Sequence, residues 1–136
     1  MADGVAVDST GIYVVGYDFV PGNFEWRIEK RDLTTGSMIW IRTSNSHTAD
    51  SEAESVAVDS TGVYVVGYLN GPADYEWGIE KLNPTTGSII WTRIENPSPG
   101  NDAAFGVVVD STGIYIVGID QVPGNLEWRI EKRTLN

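Results

Sequence analysis

The chain has 136 residues, a formal net charge of −10 and a hydrophobic fraction of 41%. The negative charge argues against nucleic acid and anionic membranes as partners, because both are bound through clustered Lys and Arg. The absence of cysteine excludes disulfides and thiolate metal sites. No run approaches the roughly 18 apolar residues of a membrane helix, and the residues before the first strand-like run do not predict a signal peptide.

The first 50 residues predict four short strands and no helix. Runs rich in β-branched and aromatic residues lie at 4–7, 12–17, 24–30 and 38–42. The residues Asp8–Gly11 between the first two runs are typical of a tight turn. In the third run Phe24, Trp26 and Ile28 alternate with charged residues, which indicates a strand with one apolar face.

This pattern then returns every 51 residues. The best-kept segment of the repeat occurs at 5–11, 56–62 and 107–113. The tryptophans keep the same spacing, with Trp26, Trp77 and Trp128 in one series and Trp40 and Trp91 in another. Antiparallel strands that recur in groups of four at about 50 residues are typical of β-propeller blades. We therefore predict an all-β fold built from three blades, at 4–54, 55–105 and 106–136, the third without its outermost strand.

Two segments resemble known propeller repeats. Asp59–Tyr68 and its copies resemble the bacterial and archaeal β-propeller repeat family, whose blades carry an Asp-x-x-Gly-x-Tyr-Val-x-Gly core. Asn83–Trp91 is similar to the Thr-Gly-x-x-x-Trp signature of quinoprotein-like blades. The resemblance implies a propeller and leaves an extracellular location open. It implies no cofactor, because the cofactor-contacting residues of quinoprotein enzymes have no counterparts here.

Two complete blades and a third without its outermost strand cannot close a ring. Two blade faces and one strand edge are therefore predicted to stay open. We expect the chain to associate with copies of itself, first as a homodimer. Another oligomer, a filament and a longer propeller are the alternatives, and a strand from another subunit could complete the third blade. The residues predicted to pack between blades or subunits are Trp26, Trp77, Trp128, Trp40 and Trp91.

Little in the sequence points to catalysis. The single histidine, His47, lies in a linker that does not repeat, and no base accompanies the repeated serines. Each Asp-Ser-Thr-Gly turn supplies one carboxylate, too few for a calcium site. Glu25 and Glu29 resemble glycosidase carboxylates only in type and are expected to form ion pairs on a solvent-facing strand side. We predict no enzyme, no metal and no cofactor.

The loops are the remaining candidates for binding, since function on repeat scaffolds resides largely in loops. The acidic residues expected on one loop face, where a cationic ligand could bind, are Asp18, Asp120, Asp50 and Asp102. The predicted function is a non-enzymatic structural or interaction module. The alternative is a carbohydrate-binding propeller with one site per blade, in which aromatic rings would stack on sugars.

Overall fold

The chain is an all-β protein, as the sequence predicts. The computed structural model describes residues 1–44 and 49–136, and within these ranges it contains strands and no helix. The strands are β1 (Ala2–Asp8), β2 (Gly11–Val20), β3 (Asn23–Arg31), β4 (Met38–Ser44), β5 (Glu52–Asp59), β6 (Gly62–Asn70), β7 (Tyr75–Leu82), β8 (Ile89–Glu95), β9 (Ala103–Asp110), β10 (Gly113–Val122) and β11 (Asn125–Arg133). His47 lies outside the described residues.

The strands form three antiparallel sheets in which neighbours in sequence are neighbours in space. Sheet 1 has the order β1-β2-β3-β4, sheet 2 the order β5-β6-β7-β8 and sheet 3 the order β9-β10-β11. The first strands of successive sheets contact one another, β1 with β5 and β5 with β9. Over the ranges given above, the fold has no helix long and apolar enough to cross a membrane.

The repeated turns are held by their aspartates. Oδ1 of Asp8 accepts the backbone N–H groups of Thr10 at 2.7 Å and Gly11 at 3.0 Å. The equivalent bonds recur at Asp59 and Asp110. A carboxylate that accepts two backbone donors satisfies groups that a tight turn leaves without a partner. The same local chemistry therefore begins the second strand of every sheet.

The core consists of two layers, one between each pair of sheets. In the first layer Tyr13, Val15, Trp26 and Ile28 of sheet 1 pack against apolar residues of sheet 2. In the second layer the equivalent residues of sheet 2 pack against sheet 3, namely Tyr64, Val66, Trp77 and Ile79. Sheet 2 thus uses one face for the sheet before it and the other for the sheet after it. Sheet 2 is covered on both faces.

A glycine on the second strand of each sheet permits close approach of the first strand. A Cβ at Gly67 would collide with the carbonyl oxygen of Glu52 on β5, where the register of β5 shifts between Ala53 and Ser55. Gly16 and Gly118 occupy the same position in sheets 1 and 3. Because the obstacle is backbone, no side-chain rotation can relieve it.

We therefore expect Gly67→Ala to lower the free energy of unfolding by about 1–3 kcal/mol, since overpacking forces the backbone of β5 to move. Ser60→Ala, at an exposed turn position of the same sheet, is the control and should stay within about 0.5 kcal/mol of the original chain. Urea unfolding followed by circular dichroism measures both values. Equal stabilities of the two variants would contradict the assigned close approach.

Candidate functional site

Two tryptophans connect the sheets. Trp26 on β3 is 0% exposed, and its Nε1–H donates to the carbonyl oxygen of Tyr68 in sheet 2 at 3.0 Å. Trp77 on β7 is also 0% exposed and donates to the carbonyl oxygen of Ile119 in sheet 3 at 3.1 Å. A buried indole contributes a large apolar surface, and its N–H requires an acceptor. Each tryptophan therefore both fills the layer and sets the position of the next sheet.

Among the three sheets of residues 1–44 and 49–136, none packs against the third tryptophan of this series. Trp128 on β11 is 84% exposed, although it occupies the same repeat position. Its apolar neighbours Val108, Val117 and Ile130 are exposed as well. Their counterparts in sheet 2 are all buried against sheet 3, namely Ala57, Val66 and Ile79. We call Val108, Val117, Trp128 and Ile130 the indole face.

Sheet 1 exposes the opposite half of the same kind of interface. Val5 is 68% exposed, whereas its counterpart Val56 in sheet 2 is 6% exposed because sheet 1 covers it. Val7 is also exposed, and Ile12 and Val14 are partly exposed. We call Val5, Val7, Ile12 and Val14, together with the cavity beside them, the cavity face.

A cavity of about 370 Å³ opens on this face next to Gly16. Its walls include Asp18, Arg27 and Glu29. In sheet 3 the same repeat positions carry identical residues, Gly118, Asp120, Arg129 and Glu131. The equivalent space there is filled by Trp77.

Two distances define the seat of Trp77 in sheet 3. A Cβ at Gly118 would lie 2.8 Å from Cζ2 of the Trp77 indole, so the ring rests directly on the glycine. The guanidinium carbon of Arg129 lies 6.0 Å from the centre of the ring, at the outer limit of a cation–π contact. The cavity in sheet 1 has the same glycine and the same arginine, but no indole of this chain enters it.

A series of lysines repeats the pattern at the other end of the sheets. Nζ of Lys30 donates to the carbonyl oxygen of Pro84 in sheet 2 at 2.9 Å. Nζ of Lys81 donates to the carbonyl oxygen of Leu135, beyond sheet 3, at 2.8 Å. Lys132 is the third member, and the acceptor found for it among residues 1–44 and 49–136 is the hydroxyl of Thr112 in its own sheet.

The second tryptophan series lies on the fourth strands. Trp40 on β4 reaches sheet 2, where its Nε1–H donates to the carbonyl oxygen of Pro84 at 3.3 Å. Trp91 on β8 is partly buried, with its ring centre 6.4 Å from that of Tyr64 and the Arg93 guanidinium 4.2 Å above it. Nε1 of Trp91 is buried and has no partner within the described ranges. Trp40 therefore connects two sheets, whereas Trp91 packs within the second core layer.

Two of the acidic candidates are in strands, not in loops as expected from the sequence. Asp18 lies on β2 and forms an ion pair with Arg27, while Asp120 lies on β10 and pairs with Arg129 at 2.9 Å. The reason is that the β2–β3 hairpin extends to a two-residue turn, in which Gly22 has a φ of 110°. The strands therefore continue past Asp18 and Asp120.

The other two acidic candidates are acceptors for the backbone of this chain. Oδ1 of Asp50 accepts the N–H of Phe24 at 2.8 Å. Asp102 is fully buried and accepts the N–H groups of Ser98 and Gln121, both at 3.0 Å. These bonds tie the linkers between units to neighbouring strands. A ligand-binding role for the four aspartates stays a prediction.

The strand side on which Glu29 was expected to face solvent is covered in the structure. Glu29 is buried between Arg27 and Arg31, and both arginines bind its carboxylate. Glu80 of sheet 2 is buried under sheet 1 and accepts the hydroxyl of Ser44 at 2.8 Å. The polar side of the strand is thus covered in sheet 1 by arginines of the same strand and in sheet 2 by the preceding sheet.

A third acidic group lies where β1 meets β5. Asp3, Glu52 and Glu54 approach one another there, and Oδ2 of Asp3 is buried with no partner in the part of the chain that the structure describes. Burial raises the pKa of Glu54, and the charges of Asp3 and Glu52 raise it further. In the described part of the molecule no three His, Asp or Glu side chains are arranged to hold a metal ion.

Comparisons with models of protein families, with curated protein sequences and with solved structures found no match to this chain. The candidate site is therefore argued from geometry alone. Sequence reasoning selected the tryptophans but missed the cavity and Lys132. The signal was present, because Gly16 and Arg27 recur at 118 and 129 whereas Gly78 replaces the arginine in sheet 2.

The three equivalent tryptophans should differ sharply in their contribution to folding. Trp26→Ala should lower the free energy of unfolding by about 3–5 kcal/mol, since it removes a fully buried indole and its hydrogen bond. Trp128→Ala in the monomeric protein should change it by less than about 0.5 kcal/mol. Urea unfolding at a dilution that keeps the chain monomeric gives both values. Equal losses would contradict the burial assigned here.

Protonation of Glu54 should stabilise the fold. Because the pKa of Glu54 is raised in the folded state, its ionised form destabilises that state, and stability should rise as the pH falls through the raised pKa. Glu54→Gln should therefore be more stable than the original chain near about pH 7.5, and the difference should shrink towards about pH 5. Unfolding curves across this range test it, with Glu127→Gln, at an exposed position, as the control.

Proposed function

We propose that the chain is a β-propeller segment that works as a non-enzymatic structural and interaction module and associates with copies of itself. The observation that carries the proposal is the 84% exposure of Trp128, at a position that is 0% exposed in both other sheets. A contiguous apolar face of this kind marks an interaction surface. The cavity face at the other end of the chain is a second such surface.

Three features support the propeller arrangement. The sheets repeat the same strand order, their first strands contact one another, and each sheet packs face to face on the next. Propeller blades have this radial order, with the first strand of each blade innermost. The fourth strands would then form the rim, and Ile39 on β4 and Ile90 on β8 are about half exposed.

A second copy is the occupant that best fits both open faces. Each buried layer inside the chain joins one face of a sheet to the opposite face of the next sheet, at equivalent repeat positions. Each open face therefore has its complement at the other end of an identical molecule. Repeat units stabilise one another mainly through such nearest-neighbour interfaces. Two copies would supply six units, within the usual range of four to eight blades.

Carbohydrate binding is the alternative function, but no feature of the described residues favours it. The rings of Trp26 and Trp77 are 0% exposed, so they offer no face to a sugar. A site repeated in every unit would require equivalent exposed rings. Trp128 is exposed, but its two equivalents form the core layers.

The mass in solution tests the proposal directly. Light scattering after size exclusion, over about a hundredfold range of concentration, should show a species at twice the 14.8 kDa chain mass that dissociates on dilution. The thermal midpoint should rise with concentration, because association stabilises only the folded chain. A folded monomer at every concentration, with a constant midpoint, would overturn self-association.

A further inference from the structure

The two interfaces inside the chain have a direction. At each of them the earlier sheet supplies the tryptophan, and the later sheet supplies a glycine under the ring, Gly78 or Gly118, and the carbonyl acceptor. The indole face is thus the donor half of the interface at one end of the molecule. The cavity face is the acceptor half at the other end.

We infer that copies join head to tail, with the Trp128 indole of one chain seated in the cavity beside Gly16 of the next. In this arrangement Nε1–H of Trp128 donates to the carbonyl oxygen of Tyr17, the counterpart of Tyr68 and Ile119. The inference rests on the proposed self-association and adds its direction, its two faces and its central contact.

The walls of the cavity fit an indole because two equivalent residues of sheet 3 already hold one. Gly16 and Arg27 correspond to Gly118 and Arg129, which lie against the ring of Trp77. Asp18 and Glu29 pair with Arg27 as Asp120 and Glu131 pair with Arg129. Arg27 would lie beside the Trp128 ring as Arg129 lies beside the ring of Trp77. The 370 Å³ cavity would then be occupied and the exposed indole covered by the same contact.

The acceptor atom is also suited to this bond. The carbonyl oxygen of Tyr17 accepts the N-terminal amino group of Met1 at 2.6 Å, which uses one of its two lone pairs. In sheet 2 the carbonyl oxygen of Tyr68, at the same repeat position, accepts from Trp26 although Tyr68 lies in register with Glu52 of β5. Tyr17 can therefore accept Trp128 without losing its contact to Met1.

Lys132 would add a second bond at the same junction. Lys30 and Lys81 each donate to a carbonyl oxygen of the turn region that follows the third strand of the next unit, that of Pro84 and of Leu135. The equivalent residue of sheet 1 is Leu33, which is exposed. Nζ of Lys132 in one copy would donate to the carbonyl oxygen of Leu33 in the next.

A head-to-tail contact joins two different faces, so an assembly closes into a ring only when every indole face and every cavity face is occupied. Two copies with two identical junctions satisfy this condition, and each chain then contributes its indole face to one junction and its cavity face to the other. This arrangement makes a complementation experiment possible. A variant defective in one face should be rescued by a variant defective in the other.

The experiment uses Trp128→Asp, which disables the indole face, and Val5→Asp, which disables the cavity face. Both residues are exposed in the single chain, so each variant should fold, as circular dichroism and urea unfolding will verify. Ile90→Asp is the control, because Ile90 on β8 is exposed and belongs to neither the indole face nor the cavity face. Mass is measured by light scattering for each variant alone and for the equimolar mixture.

Each face variant alone should be monomeric, with the dissociation constant raised about 100-fold or more, the effect of losing a central anchor residue. The mixture should form a one-to-one dimer through its single intact junction, and Ile90→Asp should assemble as the original chain does. If the original chain dimerises and either face variant still dimerises alone, the head-to-tail junction is wrong while self-association stands. If the original chain is monomeric, the proposed self-association itself fails.

The hydrogen bond to Tyr17 has its own readout. Trp128→Phe keeps an aromatic ring but lacks the donor, and it should weaken each junction about tenfold, the upper range for one neutral hydrogen bond. The indole N–H resonance of Trp128, assigned by its loss in this variant, should become protected from solvent exchange on association. An indole N–H that exchanges equally fast in monomer and dimer would overturn the seating of Trp128 in the cavity.

Discussion

The seating of a tryptophan of one sheet on the next sheet is the contact on which the packing of this molecule depends. Trp26 and Trp77 each fill a core layer and donate a hydrogen bond to a carbonyl oxygen of the following sheet. Glycines make room for the rings, since a Cβ at Gly78 or Gly118 would lie 2.8 Å from the indole that rests on it. In each layer an indole of one sheet thus packs against a glycine of the next sheet, which has no side chain to obstruct the ring.

The three sheets are buried to different extents, because only sheet 2 has a neighbouring sheet on each side. Sheet 2 is packed on both faces, and β6 and β7 are almost entirely buried. Sheets 1 and 3 each have one neighbour, and β11 is largely exposed. In a molecule stabilised by contacts between neighbouring units, the end units are the least protected. A partner that covers the indole face would therefore bury exposed apolar side chains of an end sheet.

The strands and turns could be predicted from the sequence, whereas the surroundings of the charged residues could not. The alternating runs of each unit became strands, and Asp8 closes its turn through backbone hydrogen bonds as its residue type indicates. Asp18 was expected in a loop but lies in β2, and Glu29 was expected in solvent but is buried between arginines. Strand length and burial depend on neighbours distant in sequence, which composition and spacing do not reveal.

The segments 25–30 and 127–132 separate what the sequence determines from what the tertiary structure decides, because both have the sequence Glu-Trp-Arg-Ile-Glu-Lys. Sequence alone determined that both are strands with one apolar face, since alternation and β propensity act over a few residues. Only the tertiary structure decided that Trp26 is fully buried and Trp128 is 84% exposed. The physical reason is that burial requires a second surface. Sheet 2 supplies that surface for Trp26, and none of the three sheets that the structure describes supplies it for Trp128.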